Sequence, residues 1–397
     1  MNFIFISPDF PKTYYHFCEE LLNNGVNVLG IASTPYEYLP NELKRSLTEY
    51  YRVSNMEDYN EMFKAVAYFS FKYGKIDFIE SNNEYWLEQD ARLRSDFNVS
   101  TGKKMEEINF FKSKEAMKEC YKKANVKVAR FIIPSTFEKG KDFAFDVGYP
   151  LVAKPDNGVG AYNTFKINNE EELLSFYKHK PDIKYIMEEF VPGDLISYDG
   201  VTNGDCEPIF SSNEVFPTPV MNIVNENKDC FYYSNKEMPQ DLEEVGKRVL
   251  KAFDAKYRYF HLEFFRLNKD KEGLGKKGDI IGLEVNMRCP GGYTPDIINF
   301  SKSVNTYKIW AGSMTFNKCS INNSNETFYC AYYGRRDGIE YLHDDFEIKE
   351  KYGSSLKMAE RLPDIFSKAM GNDFYVINVS TLDELNELYD FLSMRKK

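Results

Sequence analysis

The chain has 397 residues, of which 43% are hydrophobic and 16% aromatic, and its formal net charge is −10. That length supports two or three domains with a sizeable core. The acidic balance disfavours non-specific binding to nucleic acid, which requires a basic surface. No apolar run of roughly 18 residues is present, which argues against a membrane span, and the first residues lack the charged flank of a signal peptide. Seven cysteines without a CxxC pair are typical of reduced thiols, so we expect a cytoplasmic protein.

The first 105 residues alternate short apolar segments with amphipathic ones. Strands are predicted at Phe3–Ile6, Val26–Ala32 and Ile76–Glu80, and helices at Thr13–Asn24, Met56–Tyr73 and Tyr85–Phe97. Such alternation predicts a Rossmann-like domain, with a parallel sheet covered by helices on both faces. The first strand–helix turn carries no G-x-G-x-x-G, so dinucleotide binding has no support. The polar turn Ser81–Glu84 is either a solvated loop or part of a ligand site.

Two lysine-containing stretches follow. A helix is predicted over Ser113–Ala124, with Ser113 as its N-cap; Lys112, Lys114 and Lys118 surround its start, where lysines are usually solvated. Further on, the strand Pro150–Ala153 ends at Lys154, and a loop containing Gly158, Val159 and Gly160 precedes the returning strand Asn163–Ile167. Glycines at this spacing allow backbone N–H groups to face an anion, and a lysine beside them suits a phosphate. In isolation, the same loop is typical of a plain hairpin.

The middle of the chain contains one further acidic strand. Tyr185–Val191 is predicted to be extended, which places Glu188 and Glu189 on opposite faces. Another strand is predicted at Ile196–Asn203 and a helix at Leu242–Phe253, whereas residues 205–235 show no clear pattern.

The strongest chemical signal lies between Tyr259 and Asp296. The strand His261–Leu267 carries Glu263, and a polar loop leads to a second strand, Ile280–Arg288. Alternation along that strand predicts one polar and one apolar face; the polar face is Gly282, Glu284, Asn286 and Arg288, and the apolar face is Ile281, Leu283, Val285 and Met287. Two carboxylates and an amide oxygen suit Mg²⁺, with Mn²⁺ as an alternative. An arginine beside them suits a phosphate.

The order of these signals resembles the ATP-grasp superfamily, within it the carboxylate–amine ligase and carbamoyl-phosphate-synthase-like group. The matching elements are a lysine at a helix start, K-P-x-x-G-x-G, E-E-F-V followed by a glycine, H-x-E-F, and E-V-N-x-R-x-x-G-G. The resemblance implies an α/β chain, α+β in its central part, with three units. These are a Rossmann-like pre-ATP-grasp domain at 1–105, an ATP-grasp domain at 106–310 with a flap-bearing subdomain at about 125–190, and a small C-terminal α/β subdomain at 311–397.

The resemblance also implies a role for each matched residue. Lys114 and Lys154 would contact the α- and β-phosphates of ATP, beneath a flap formed by Gly158, Val159 and Gly160. Adenine would lie against Glu188, Glu189, Phe190 and Val191, through the Glu188 carbonyl and the Val191 N–H. Glu263, Glu284 and Asn286 match the magnesium ligands, and Arg288 acts with Lys154 on the transferred phosphoryl group. Leu195 stands where many members have a ribose-binding acid, which leaves Asp194 as the candidate for that contact.

The activity implied is that of an ATP-dependent ligase. A small-molecule carboxylate would be activated as an acyl phosphate with release of ADP, and an amine or another nucleophile would then displace phosphate. Two alternatives stay open. Bicarbonate activation of the biotin-carboxylase or carbamoyl-phosphate-synthase type is the first, although biotin carboxylases have R-x-Q-V-E-H where this chain has Arg288-Cys-Pro-Gly-Gly-Tyr. A non-catalytic ATP-binding protein is the second. A homodimer is the default expectation for a soluble enzyme.

Overall fold

A computed structural model of the chain describes residues 1–158, 163–218, 223, 227–319, 321 and 326–396. The strands in these ranges are β1 (Asn2–Ile6), β2 (Asn27–Ala32), β3 (Glu49–Arg52), β4 (Phe78–Glu80), β5 (Lys127–Val128), β6 (Phe131–Ile132), β7 (Leu151–Pro155), β8 (Phe165–Ile167), β9 (Tyr185–Glu189), β10 (Gly193–Thr202), β11 (Pro208–Ser212), β12 (Glu214–Phe216), β13 (Cys230–Ser234), β14 (Tyr259–Leu267), β15 (Ile280–Asn286), β16 (Tyr329–Arg335), β17 (Leu356–Arg361) and β18 (Asp373–Val379).

The α-helices in the same ranges are α1 (Tyr15–Asn23), α2 (Asn41–Ser46), α3 (Tyr59–Tyr73), α4 (Leu87–Asp96), α5 (Asn109–Lys112), α6 (Lys114–Lys123), α7 (Phe137–Val147), α8 (Glu170–His179), α9 (Gln240–Ala252), α10 (Thr294–Lys302), α11 (Thr306–Phe316), α12 (Asp345–Tyr352), α13 (Asp364–Met370) and α14 (Leu382–Ser393). Within the described ranges, no helix combines the length and the apolar character needed to cross a membrane.

The N-terminal domain is a parallel sheet in the order β3-β2-β1-β4. The parallel pairing is consistent with the predicted Rossmann-like architecture. Its two faces carry separate apolar cores, and one of them continues into α11 through Trp310. The elements α2 and β3 were not predicted, because Glu49–Arg52 is a half-buried edge strand without an apolar run.

A small antiparallel sheet, in the order β6-β9-β7-β8, packs against α7 and α8. The apolar pattern of Val126–Phe131 predicts the start of one strand, but this segment is divided between two sheets, because β5 pairs with β15 and β6 pairs with β9. The chain crosses from one sheet to the other at Ala129 and Arg130. The Arg130 backbone N–H is bound there by the Glu189 carboxylate at 2.9 Å.

The large central sheet runs in the order β17-β18-β16-β13-β12-β10-β14-β15-β5, with β11 paired to β10. Its longest contact is the antiparallel pair β10–β14. The three strands beyond residue 311 extend this same sheet, so the predicted division at 310/311 falls within one continuous sheet.

A β-bulge in β15 changes the predicted faces of that strand. Glu263 pairs with Glu284 but the next residue, Phe264, pairs with Gly282, so Leu283 is an extra residue. A bulge of this kind reverses the side chains before it relative to those after it. Ile281 consequently packs in a different cluster from Val285 and Met287, and a side chain at Gly282 would point at Tyr121 of their cluster. The predicted faces of Ile281 and Gly282 are therefore wrong.

The glycine before the bulge allows α6 to approach β15 closely. A Cβ at Gly282 would lie 2.6 Å from ring carbons of Tyr121, a fully buried residue whose hydroxyl donates to the Glu284 carbonyl at 3.0 Å. We expect Gly282→Ala to lower the free energy of unfolding by about 1–3 kcal/mol, because the ring has no space to yield. Denaturant unfolding would measure this. Gly291→Ala is the control, since its Cβ would meet no described atom within 4 Å; equal midpoints for both variants would contradict the expectation.

Candidate active site

Two carboxylates face each other on the neighbouring strands β14 and β15 of the large sheet. Glu263 on β14 is paired directly with Glu284 on β15, and their side chains are 23% and 20% exposed. Asn286 lies two pairs further along, opposite His261. Like charges in a cross-strand pair repel each other, so the pair favours a bound cation. Carboxylates and an amide oxygen fit Mg²⁺, which takes one or two protein carboxylates together with substrate phosphates.

The metal ligands predicted from the sequence are thus brought together. Among the described residues, no group of three His, Cys, Asp or Glu side chains could hold a metal alone. The Lys114 ammonium lies 3.2 Å from the Glu284 carboxylate and partly neutralises it.

A histidine supports Glu263 from behind. His261 Nε2 lies 3.2 Å from Glu263 Oε1, and its Nδ1 hydrogen-bonds the buried Asp199 of β10. Burial opposes a charge on His261, but the Asp199 and Glu263 carboxylates outweigh it and raise the pKa of His261 to about 10. Burial likewise opposes a charge on Glu263, yet the His261 hydrogen bond and nearby cations lower its pKa. Asp199 was missed, although it alternates with Ser197 on a predicted strand.

Lysine side chains from α6 and β7 lie opposite the Glu263 and Glu284 carboxylates. Glu188 of β9 binds the Lys118 ammonium at 2.6 Å and the Lys154 ammonium at 2.8 Å, and all three side chains are buried. Burial raises the pKa of Glu188, but the two lysines outweigh this and lower it to about 2. The sequence predicts no functional role for Lys118, because lysines at a helix start are usually solvated. Its position one helical turn after Lys114 was the available signal.

The start of the predicted flap is tied to α6. Asp156 accepts hydrogen bonds from the Ser113 hydroxyl and the Glu115 N–H, each at 2.8 Å. The Lys114 ammonium reaches the Gly158 carbonyl at 3.3 Å. Lys114, Lys154 and Gly158 therefore lie on the same side of the site, whereas Val159 and Gly160 are outside the described residues.

The predicted adenine strand has a buried backbone and an apolar end. The Glu188 backbone is paired with β6 and with β7; the Glu189 N–H donates to the Arg130 carbonyl at 3.0 Å, and the Phe190 N–H donates to the Pro150 carbonyl at 3.2 Å. Val191 packs with Ala129, Leu267, Leu274 and Ile281 in an apolar cluster of the kind that holds a base.

The side chains near that strand differ in their contacts and in their exposure to solvent. The Glu189 carboxylate points away from Glu188 and forms a two-pronged ion pair with Arg130, at 3.0 and 2.7 Å. Phe190 is half-buried, with the Lys166 ammonium 5.1 Å from its ring centre. Asp194 is exposed, and Leu195 after it is buried.

Arg288 connects the site to the N-terminal domain. Its guanidinium lies 3.2 Å from the carboxylate of Glu84, which also binds the Lys112 ammonium at 3.1 Å. Arg288 also donates to Asn286 Oδ1 at 3.3 Å. Within the turn Ser81–Glu84, Glu84 therefore contacts a predicted site residue, and Ser81, Asn82 and Glu84 are buried. Cys289 beside Arg288 is fully buried, and burial raises the pKa of its thiol well above the usual range, which disfavours a nucleophilic role.

Known proteins share this arrangement of elements. No protein-family model matches the chain. An L-arginine-specific L-amino acid ligase from Bacillus subtilis is 25% identical over 302 residues, which cover 74% of this chain and 70% of that protein. The crystal structure of an L-amino acid ligase from Bacillus licheniformis matches 98% of this chain and 95% of that chain, with a TM-score of 0.69 at 15% identity. A biotin carboxylase from Campylobacter jejuni, solved as a β-γ-ATP complex, matches 98% of this chain and 90% of that chain, with a TM-score of 0.70 at 12% identity.

The chain has the ATP-grasp fold. The resemblance inferred from the order of five motifs is confirmed, and so is the mixed α/β class. In this ATP-grasp chain the carboxylates of β14 and β15 lie on one side of the candidate site, and the lysines of α6 and β7 lie on the other.

Proposed function

We propose that the chain is an ATP-dependent ligase that activates a small carboxylate as an acyl phosphate and joins it to an amine, forming a C–N bond. One observation carries the proposal: Glu263, Glu284, Asn286 and Arg288 share a sheet face. Because the L-amino acid ligase from Bacillus licheniformis shares the fold over 98% of this chain, we propose amino acids as the substrates on both sides. A homodimer stays the expectation for its assembly.

The residues divide into three tasks. Lys114 and Lys154 would bind the phosphates of ATP, since each ammonium is a mobile point charge close to a flap. Glu189, Phe190 and Val191 would hold adenine, and Asp194 is the candidate for the ribose. Arg288 would orient the γ-phosphate and the developing acyl phosphate through its planar fork of donors. Its release from Glu84 would accompany substrate binding.

Glu263, Glu284 and Asn286 would hold magnesium. Bound there, the ion would neutralise the charge that develops on the β- and γ-phosphate oxygens during transfer. His261 favours the ionised form of Glu263, and the Lys114 ammonium would balance the negative charge of Glu284 before a cation binds. No side-chain nucleophile is required, which agrees with the buried thiol of Cys289.

The products of ATP test the reaction class. We expect ADP and inorganic phosphate when the protein is incubated with Mg-ATP and a mixture of L-amino acids, because phosphoryl transfer to a carboxylate breaks the β–γ linkage. Coupled enzymatic assays for ADP and for phosphate would measure this. AMP and pyrophosphate as products would contradict the acyl phosphate route.

Bicarbonate activation is the alternative that the same assay addresses. The loop after Arg288 has Cys-Pro-Gly-Gly where the biotin-carboxylase pattern has a Glu-His pair, which disfavours bicarbonate as the substrate. We expect bicarbonate as the sole carboxylate to give no ADP above the background rate. Turnover with bicarbonate alone would favour the alternative.

A further inference from the structure

A carboxyl group outside the predicted site, Glu214 of β12, is buried, and no described residue donates a hydrogen bond to it. Its side chain is 0% exposed, and neither of its oxygens accepts a hydrogen bond from the residues that the structure describes. Leaving a buried polar group unpaired costs about 1–3 kcal/mol, and native proteins rarely do so. An unpaired carboxylate at this depth therefore points to a ligand that supplies the missing donor.

The sheet register connects Glu214 to the predicted metal ligands. The Glu214 N–H donates to the Ser197 hydroxyl at 3.1 Å, Ser197 is paired with Glu263, and Glu263 is paired with Glu284. These four residues cross four neighbouring strands in one row. At about 4.8 Å per strand, Glu214 lies roughly 10 Å from Glu263, a distance that a small substrate can span.

The charges around Glu214 favour a positively charged ligand group beside it. Burial and the charge of Asp199 raise the pKa of Glu214 well above its usual range. The neighbouring cation, His261, is already engaged by Asp199 and Glu263. The other polar neighbours are the buried groups Tyr232, Tyr259 and Cys330. An anionic group would meet the carboxyl groups of Glu214 and Asp199 here, whereas an ammonium group would be stabilised by them.

We propose that Glu214 binds the ammonium group of the amine substrate and takes one of its protons. The proposal rests on the ligase function above. The ammonium transfers a proton to the Glu214 carboxylate, and the neutral nitrogen attacks the acyl phosphate carbon. The C–N bond forms, the C–O bond to phosphate breaks, and the departing phosphate carries away the second proton. The substrate class is thus a primary amine that is protonated in solution, as an α-amino acid is.

Two nucleophiles with different charge test the assignment. Wild-type protein and Glu214→Gln are supplied with Mg-ATP and L-amino acids, with or without hydroxylamine, which is uncharged at neutral pH and needs no proton acceptor before attack. We expect Glu214→Gln to lower kcat/KM for amide formation about 10²-fold, while hydroxamate formation stays within about twofold of wild type. Glu207→Gln is the matched control, since Glu207 is exposed and paired only with Lys251 at the surface.

The other outcomes are distinguishable. If Glu214→Gln lowers amide and hydroxamate formation equally, Glu214 is structural and the proposal is overturned. Glu214→Asp provides a second check, because it keeps the charge and should recover part of the amide formation; recovery no better than with Gln would also overturn it. Wild-type protein that forms neither product, nor any amino-acid-dependent ADP, would overturn the ligase function and this role with it.

Discussion

Glu284→Gln is expected to lower ligase turnover roughly 10³-fold, because metal charge stabilisation of phosphoryl transfer is worth several kcal/mol and each ~1.4 kcal/mol is tenfold. Glu284 is the carboxylate directly opposite Glu263, so its loss leaves one acidic ligand for the cation. ADP release in the presence of Mg-ATP and L-amino acids measures the effect. We also expect the free energy of unfolding to change little.

Two opposing contributions explain the unchanged stability. The variant loses the ion pair between Lys114 and residue 284, but it also loses the repulsion between the Glu263 and Glu284 carboxylates. Each contribution is about 1 kcal/mol or less at a partly exposed pair. We therefore expect the free energy of unfolding to change by less than about 1 kcal/mol.

A control isolates the metal from general charge effects. Glu360→Gln removes an exposed carboxylate on β17 of the same sheet and should leave turnover unchanged. Thermal unfolding adds a readout independent of turnover: Mg-ATP should stabilise wild type more than Glu284→Gln. Wild-type turnover in Glu284→Gln would remove the metal assignment.

The sequence predicted what depends on local pattern. The alternation of Glu284, Asn286 and Arg288 placed these side chains together because they follow the bulge, where the period of two holds. The bulge itself lies within Ile-Ile-Gly-Leu, whose residues are apolar on either face, so nothing in the pattern marked the reversal.

Residues whose role comes from distant pairing were not predictable. Lys118 on a helix, and Glu214 on a three-residue strand, have ordinary local sequences. Their burial results from the register of sheets that join segments about 70 to 165 residues apart, as in the contact of the Lys118 ammonium with Glu188 at 2.6 Å or with the Leu283 carbonyl at 3.4 Å. A single sequence gives no measure of such registers.

Glu188→Gln is expected to destabilise the folded protein by about 3–5 kcal/mol, because it leaves the Lys118 and Lys154 ammonium groups buried without their carboxylate. Denaturant unfolding without nucleotide measures this. ATP should restore more stability to Glu188→Gln than to wild type, since its phosphates supply the negative charge that the variant lacks. A loss of stability that ATP leaves unchanged would contradict the placement of Lys154 beside the phosphates.

Lys118→Met reveals why two lysines share one acid. When Lys118 is present, Glu188 keeps an ion-pair partner while the Lys154 ammonium binds a phosphate. When Lys118 is removed, Lys154 is the remaining ion-pair partner of the buried Glu188 among the described residues. We expect Lys118→Met to weaken ATP binding about tenfold, equivalent to roughly 1.4 kcal/mol, as measured by calorimetry. Lys141→Met is the control, because Lys141 and its partner Glu170 are 54% and 55% exposed at the surface.

The double variant Lys118→Met/Glu188→Gln separates positioning from simple packing. Removing the acid together with its partner frees Lys154, so ATP affinity should return close to the wild-type value, and stability should exceed that of Glu188→Gln alone. Neighbouring residues that act through one another show such non-additive effects, whereas independent ones add. If the losses of the two single variants simply add, Lys118 is a packing residue and Lys154 binds phosphate without its help. If they cancel, the Lys118–Glu188 pair is what holds Lys154 in place and available for the nucleotide.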